Sequence, residues 1–230
     1  MKVVILAGGL GTRLAEFTKT IPKPMVKIKN KPIMYFIMKH FSNYGFKDFI
    51  IAAGYKSKVI KNYFFKKDFG WKIKIVETGK KTMTGGRLKR LKKYLKNEDF
   101  FLTYGDGISD VNLKKLLEFH KKNKKIATMT AVRPPARFGA IKVKKNKVVY
   151  FKEKSNLDEG WINGGFFVMK NAIFDYIRGD KTFLEKEPLE LIGKKNQLYA
   201  FKHNGYWQCM DTIRDREILE NNFKQKKIKF

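Results

Sequence analysis

The chain has 230 residues, 43% of them hydrophobic and 14% aromatic, which is enough to bury one sizeable α/β core and excludes global disorder. Its single cysteine, Cys209, excludes an internal disulfide and, with no Cys/His cluster at zinc spacing, fits a reducing cytoplasm. The net charge of +30 invites a nucleic-acid reading, but only eight of the 51 basic residues are arginine and the lysines are scattered throughout. The charge is therefore read as solvated surface, with no specific nucleic-acid partner.

In chain order, Lys2 to Ala7 is a short β-branched run too brief for a signal sequence, and it predicts a first strand. Asn30-Lys31-Pro32 reads as an N-cap with an early proline. Ile33, Ile37, Met38 and Phe41 follow at helical spacing, and Gly45 ends the helix. Strands are predicted at Phe49 to Ala53, Lys72 to Val76, Phe100 to Thr103 and Ile126 to Val132. Helices are predicted at Lys56 to Phe64, around Leu88, Leu91 and Leu95, and at Val111 to His120, with Asp110 as the cap of the last. This βαβα alternation argues for a parallel sheet with helices on both faces.

After Pro134-Pro135 the rhythm changes. Ala140 to Val143, Val148 to Lys152 and Gly165 to Met169 read as strands without intervening helices, which suggests a smaller β-rich region packed on the same unit. Helices follow at Ala172 to Ile177, at Thr182 to Ile192 with Thr182 and Glu185 as a capping box, and at Thr212 to Phe223. The expected organisation is a single domain over 1–230, with a first part over about 1–133 and a second over about 134–230. No apolar stretch reaches the roughly 20 residues a bilayer span needs, so no membrane partner is expected.

The first chemical motif is Leu6-Ala7-Gly8-Gly9-Leu10-Gly11-Thr12-Arg13-Leu14, directly after the first strand. Glycines let backbone N–H groups approach a phosphate chain, and an arginine in the same loop can neutralise it; a tight turn needs glycine too. A dinucleotide fingerprint fails because Leu14 stands where its third glycine belongs. A P-loop fails for lack of a closing Gly-Lys-Ser/Thr. Pro22-Lys23-Pro24-Met25 follows, a lysine held between two backbone-restricting prolines. Asp106 lies just past the fourth predicted strand, where open α/β sheets bind ligands. Asp211 precedes the last helix, where a carboxylate could equally be an N-cap. No Ser/His/Asp arrangement is evident, and the three histidines are scattered.

The glycine loop paired with Pro22-Lys23-Pro24 resembles the signature of the sugar-nucleotidyltransferases. Further motifs extend that resemblance to the glucose-1-phosphate cytidylyltransferase branch. They are Thr82-Met83-Thr84-Gly85-Gly86-Arg87-Leu88-Lys89-Arg90, Tyr104-Gly105-Asp106-Gly107 and Arg137-Phe138-Gly139-Ala140, then Ile162-Asn163-Gly164-Gly165-Phe166-Phe167 and Trp207-Gln208-Cys209-Met210-Asp211-Thr212. Two places depart from the branch: the segment Tyr63 to Glu77 is shorter, and Ser155 follows Glu153-Lys154 where a proline is usual.

The resemblance implies a Rossmann-like mixed sheet with helices on both faces, the nucleotide-diphospho-sugar transferase fold, plus a small β-rich sugar-binding region. It implies nucleotidyl transfer from CTP to a sugar 1-phosphate, with glucose 1-phosphate as the family expectation, giving a CDP-sugar and pyrophosphate, by a Mg²⁺-dependent, cytoplasmic homo-oligomer in nucleotide-sugar supply for lipopolysaccharide O-antigen. Arg13, Lys23 and Asp106 are the implied catalytic residues, and Asp106 with Asp211 the implied metal ligands. Leu6, Ala7, Gly8, Gly9, Gly11, Thr12, Arg13, Lys23, Thr82 and Arg87 are implied to hold the nucleotide, and Glu153, Lys154, Asn163 and Gly164 the sugar phosphate. A related enzyme with another nucleotide or acceptor stays open. So does a silent regulatory subunit, although such a chain would be expected to have lost Arg13, Lys23 or a metal aspartate.

Overall fold

Seven strands hydrogen-bond into one sheet: β1 (Lys2–Ala7), β2 (Asp48–Ala53), β3 (Lys72–Glu77), β4 (Phe100–Tyr104), β5 (Ala127–Val132), β6 (Ile162–Met169) and β7 (Leu198–His203). Across the sheet they run β7-β5-β6-β4-β1-β2-β3. All are parallel except β6, which lies antiparallel between β4 and β5. The structure, a computed structural model, describes residues 1–95, 98–134, 140–152, 160–225 and 227–228, with backbone alone for 140–142 and 151–152.

The sheet separates two apolar layers, and the strand period decides which residue joins which. On one face lie Val3, Ile5, Phe49, Ile51, Phe101 and Phe166; on the other lie Val4, Leu6, Ile50, Ala52, Leu102 and Phe167. Helices α1 (Ile33–Asn43), α2 (Ser57–Phe65), α4 (Leu113–Asn123) and α6 (Ile213–Lys224) pack on the first layer through Phe41, Phe64, Leu116 and Leu219. Helices α3 (Thr84–Arg90) and α5 (Glu187–Lys194) cover the second through Leu88 and Ile192. Strands β1 and β2 are buried on both faces and so read as unbroken apolar runs. At the sheet edge, β3 alternates Lys72 and Lys74 with Ile73 and Ile75, a charged edge that discourages further pairing.

Several details differ from the sequence expectation. The proposed β-rich region is divided: Ala140–Lys144 and Lys147–Lys152 form a two-stranded ribbon of their own, whereas β6 enters the main sheet. Strand β7 is not among the strands expected from the sequence. Helix α1 starts after Pro32, while Asn30 takes a left-handed conformation (φ 64°) in the turn between the paired Lys27–Ile28 and Lys31–Pro32. Asn112, not Asp110, caps α4 by accepting from the Lys115 N–H, and Asp110 instead lies 2.8 Å from His203 Nε2. No helix begins at Thr182; α5 starts at Glu187, and Ala172 to Ile177 is a 3₁₀ stretch over Asn171–Tyr176. Among the described residues no helix is long and apolar enough to cross a membrane.

Candidate active site

Sheet order reverses between β1 and β4, and loops leaving the carboxyl ends of these neighbours open a crevice there. The loop after β1 carries the glycines. Gly8 sits so close to Arg87 that a Cβ would lie 2.1 Å from Nη1, and Gly11 holds φ at +66° while its Cα faces Lys23 and Thr18. Pro22-Lys23-Pro24 forms a short 3₁₀ turn closed by the Met25 N–H to the Pro22 carbonyl. Pro24 packs on Gly105, where a Cβ would meet its ring at 2.7 Å, and this contact brings Lys23 beside Asp106.

Asp211 arrives by a different route. Gly107–Ser109 pairs antiparallel with Trp207–Cys209, and the Met210 N–H donates to the Asp106 carbonyl at 2.9 Å. The alternative role for Asp211 as a helix cap falls away: Thr212 caps α6 in a reciprocal box with Asp215. Lys23 Nζ then donates to Asp106 Oδ2 at 2.6 Å and to Asp211 Oδ1 at 2.5 Å, and Arg13 donates to Asp211 Oδ2 at 2.8 Å.

Burial alone lowers the proton affinity of Lys23, but Asp106 and Asp211 outweigh it and hold the ammonium above its ordinary pKa. Asp211 is raised by burial yet ends below its ordinary value because Lys23 and Arg13 dominate. Cys209, 3.8 Å from Asp211, is pushed up to about 12 by burial and then by the neighbouring carboxylates Asp211 and Asp106, so it is a neutral thiol rather than a nucleophile.

Two hollows meet at this cluster. The larger, a cleft of about 720 Å³, is lined by all ten residues expected to hold the nucleotide, Leu6 to Gly9 and Gly11 to Arg13 with Lys23, Thr82 and Arg87, and also by Asp106. The smaller, about 240 Å³, is lined by Asn163, Gly164, Trp207 and Asp211. Arg13, Tyr104 and Asp106 face both. Trp207 Nε1 donates to the Gly164 carbonyl at 2.7 Å and fixes the far wall. Glu153 and Lys154 lie outside the described residues, as do Arg137 and Gly139.

Arg87 differs in kind from the other cleft residues. It is 4% exposed, and its guanidinium donates to the Gly8 carbonyl at 2.8 Å, the Gly79 carbonyl at 2.7 Å and Thr78 Oγ1 at 2.7 Å. Its donors hold the wall of the cleft together. The glycines of Thr84-Gly85-Gly86 serve close packing, since a Cβ on Gly86 would lie 2.5 Å from Asp180 Cα. Sequence reasoning missed Lys80, Lys81, Thr84 and Phe183, which also line the cleft. The Lys80-Lys81 pair beside Gly79 was the available signal, hidden in a chain so rich in lysine.

The donor set suits a hard cation. Asp106 and Asp211 already share one positive group, and two carboxylates with water and phosphate oxygens are a common arrangement for Mg²⁺. Among the described residues there is no group of three or more His, Cys, Asp or Glu side chains for a self-sufficient metal cage.

A family described as "Nucleotidyl transferase" matches residues 2–217. The glucose-1-phosphate cytidylyltransferase of Salmonella typhimurium is 46% identical over 250 aligned positions, covering 99% of this chain and 97% of that protein. The alignment is longer than the chain, so the relative carries residues this one lacks. The D-glycero-alpha-D-manno-heptose 1-phosphate guanylyltransferase of Campylobacter jejuni is 35% identical, with 90% and 93% of the two chains covered. Among solved structures, HddC from Yersinia pseudotuberculosis complexed with GMP-PN superposes with a TM-score of 0.77 at 28% identity, covering 96% of this chain and 99% of that one. With the crevice, its glycine loop and this full-length match together, the chain belongs to the nucleotidyl transferase family.

Proposed function

We propose that the chain transfers CMP from CTP to a sugar 1-phosphate, glucose 1-phosphate first among them, and releases pyrophosphate. The observation that carries this reading is the Lys23–Asp106–Asp211–Arg13 cluster at the junction of the two hollows. The identity to a glucose-1-phosphate cytidylyltransferase supports the choice of base and sugar.

In this reading the triphosphate lies along Leu6 to Thr12, where backbone N–H groups and the exposed Arg13 meet its β- and γ-phosphates. The sugar phosphate occupies the smaller hollow with Asn163 and Gly164, and Glu153 and Lys154 are assigned to it as well. A phosphate oxygen of the sugar attacks the α-phosphorus, a new P–O bond forms, and the α–β bridging bond breaks in line. Pyrophosphate departs with the electron pair. Lys23 orients the reacting phosphates and offsets charge developing on them, and Arg13 does so at the leaving group. Asp106 and Asp211 would hold Mg²⁺, which when bound supplies charge neutralisation at the phosphate oxygens. The reading also includes a cytoplasmic homo-oligomer and, further downstream, O-antigen supply.

The test is pyrophosphate release from glucose 1-phosphate with CTP, UTP, dTTP or GTP, with and without Mg²⁺. A CTP preference that needs the metal is expected. Preference for GTP would move the chain towards the guanylyltransferases, a second reading favoured by the Campylobacter relative. Silence with all four would overturn this donor and acceptor pair.

A further inference from the structure

The two hollows are joined by a chain of side-chain hydrogen bonds that bypasses the charged cluster. Thr84 lines the cleft on one side, and its Oγ1 donates to Glu185 Oε2 at 2.5 Å. On the other side Tyr104 donates its hydroxyl proton to Glu185 Oε1 at 2.6 Å. Tyr104 also lines the smaller hollow beside Asn163. Asn163 Oδ1 in turn accepts from the Gly165 N–H at 2.8 Å and so shapes the turn that presents Gly164. Gly165 holds φ at +80°, and a Cβ there would sit 2.8 Å from the Tyr104 ring. Ring, turn and carboxylate therefore fix one another's positions.

We infer that Glu185 is a positioning residue that couples the two substrate compartments, by holding Thr84 against the nucleotide cleft and Tyr104 against the sugar-phosphate hollow at once. Two features select it. One carboxylate oxygen holds Thr84, which lines the cleft alone, the other holds Tyr104, which lines both hollows, and Glu185 lines neither itself. Thr84 Oγ1 already accepts from the Leu184 N–H at 2.9 Å, so its single proton has to go to an acceptor, and Glu185 supplies one. A carboxylate can accept from both hydroxyls. A glutamine offers one carbonyl oxygen and one amide, so it can keep only part of the link.

The assignment of the hollows rests on the proposed nucleotidyl transfer, and the experiment has one arm that depends on it and one that does not. In the kinetic arm, Glu185→Ala is expected to raise KM for both CTP and glucose 1-phosphate by about tenfold, while kcat changes less than about threefold. Glu185→Gln should lie between it and the parent. Tyr104→Phe cuts the same link from the other end, so Glu185→Ala/Tyr104→Phe should raise the sugar-phosphate KM no further than the larger single change.

In the second arm, hydrogen exchange of peptides spanning residues 162–166 is compared without substrates. Faster exchange in Glu185→Ala than in the parent is expected, because the carboxylate supports a turn on the far side of Tyr104. Unchanged exchange, with both KM values within twofold of the parent, would overturn the inference. So would additive losses in the double variant. If the parent releases no pyrophosphate from any nucleotide, the function reading fails, and the exchange arm alone then decides whether Glu185 links the two walls.

Discussion

Arg87 and Gly8 are packed directly against each other: the guanidinium donates to the Gly8 carbonyl at 2.8 Å and occupies the space a Gly8 Cβ would take. The arginine also bonds the Gly79 carbonyl and Thr78 Oγ1, so it clamps the glycine loop to the segment after β3. Lysine cannot copy this, because one ammonium does not reproduce a planar fork reaching several acceptors. Arg87→Lys is expected to lower Tm and to cost about 1–3 kcal/mol in denaturant unfolding, since buried carbonyls lose their donors. It should also raise the nucleotide KM. Gly8→Ala should raise that KM by at least ~10-fold, because the loop has to move off the guanidinium. A parent-like nucleotide KM in both variants would remove the clamp from the cleft.

Lys23→Ala and Asp106→Asn are each expected to cut turnover by at least ~100-fold, the scale of losing one electrostatic group aimed at a reacting phosphate. Circular dichroism should show both variants folded, since Lys23, Asp106 and Asp211 sit on turns rather than in either apolar layer. Near-parent turnover in either variant would take that residue out of the mechanism.

Acid should weaken the fold at two buried histidines. His40 in α1 has its pKa lowered by burial, against the opposing Val111 carbonyl and Asp110; His120 in α4 is lowered by burial, against Asp99. A histidine whose folded pKa is depressed binds its proton more readily when unfolded. Its stabilisation is therefore complete above the unfolded value of about 6.5 and is lost as pH falls through the folded value. Each can contribute up to ~1.4 kcal/mol per pH unit within that window. Tm should thus fall as pH drops below about 6.5, and less steeply in His120→Gln. An identical slope in that variant would assign the acid sensitivity elsewhere.

The sequence was most readable where one strong local pattern governs. Strands β1 and β2 announce themselves as apolar runs because both faces are buried, and the glycine loop follows the first of them. Strand β7 escaped notice because an edge strand with Lys202 and His203 carries no such run. Thr182 and Glu185 matched a capping box by spacing alone, yet the Glu185 carboxylate is taken by Thr84 and Tyr104 from distant parts of the chain. The meeting of Asp106 with Asp211 depends on the pairing of Gly107–Ser109 with Trp207–Cys209, which no spacing rule reveals. Motif resemblance supplied both aspartates. It grouped Arg87 with the nucleotide contacts as well, and the structure adds that this cleft-lining guanidinium also bonds Gly8, Gly79 and Thr78.

The position of Lys23 leads to a prediction about the metal. Its ammonium lies between the two carboxylates proposed to hold Mg²⁺, within 2.6 Å of each. A divalent ion shared by those oxygens has to displace it, so without nucleotide Lys23 should act as a competitor for the site. Mn²⁺ binding followed by electron paramagnetic resonance should be at least ~10-fold tighter in Lys23→Met than in the parent, given the strength of a charge interaction at such short range. Asp211→Asn should bind more weakly. Lys80→Met is the control: Lys80 lines the same cleft but makes no ion pair with either aspartate among the described residues, so its effect should stay within about threefold. If Lys80→Met tightened Mn²⁺ as much as Lys23→Met, the gain would reflect general charge on a +30 chain. Direct competition by Lys23 would then be excluded.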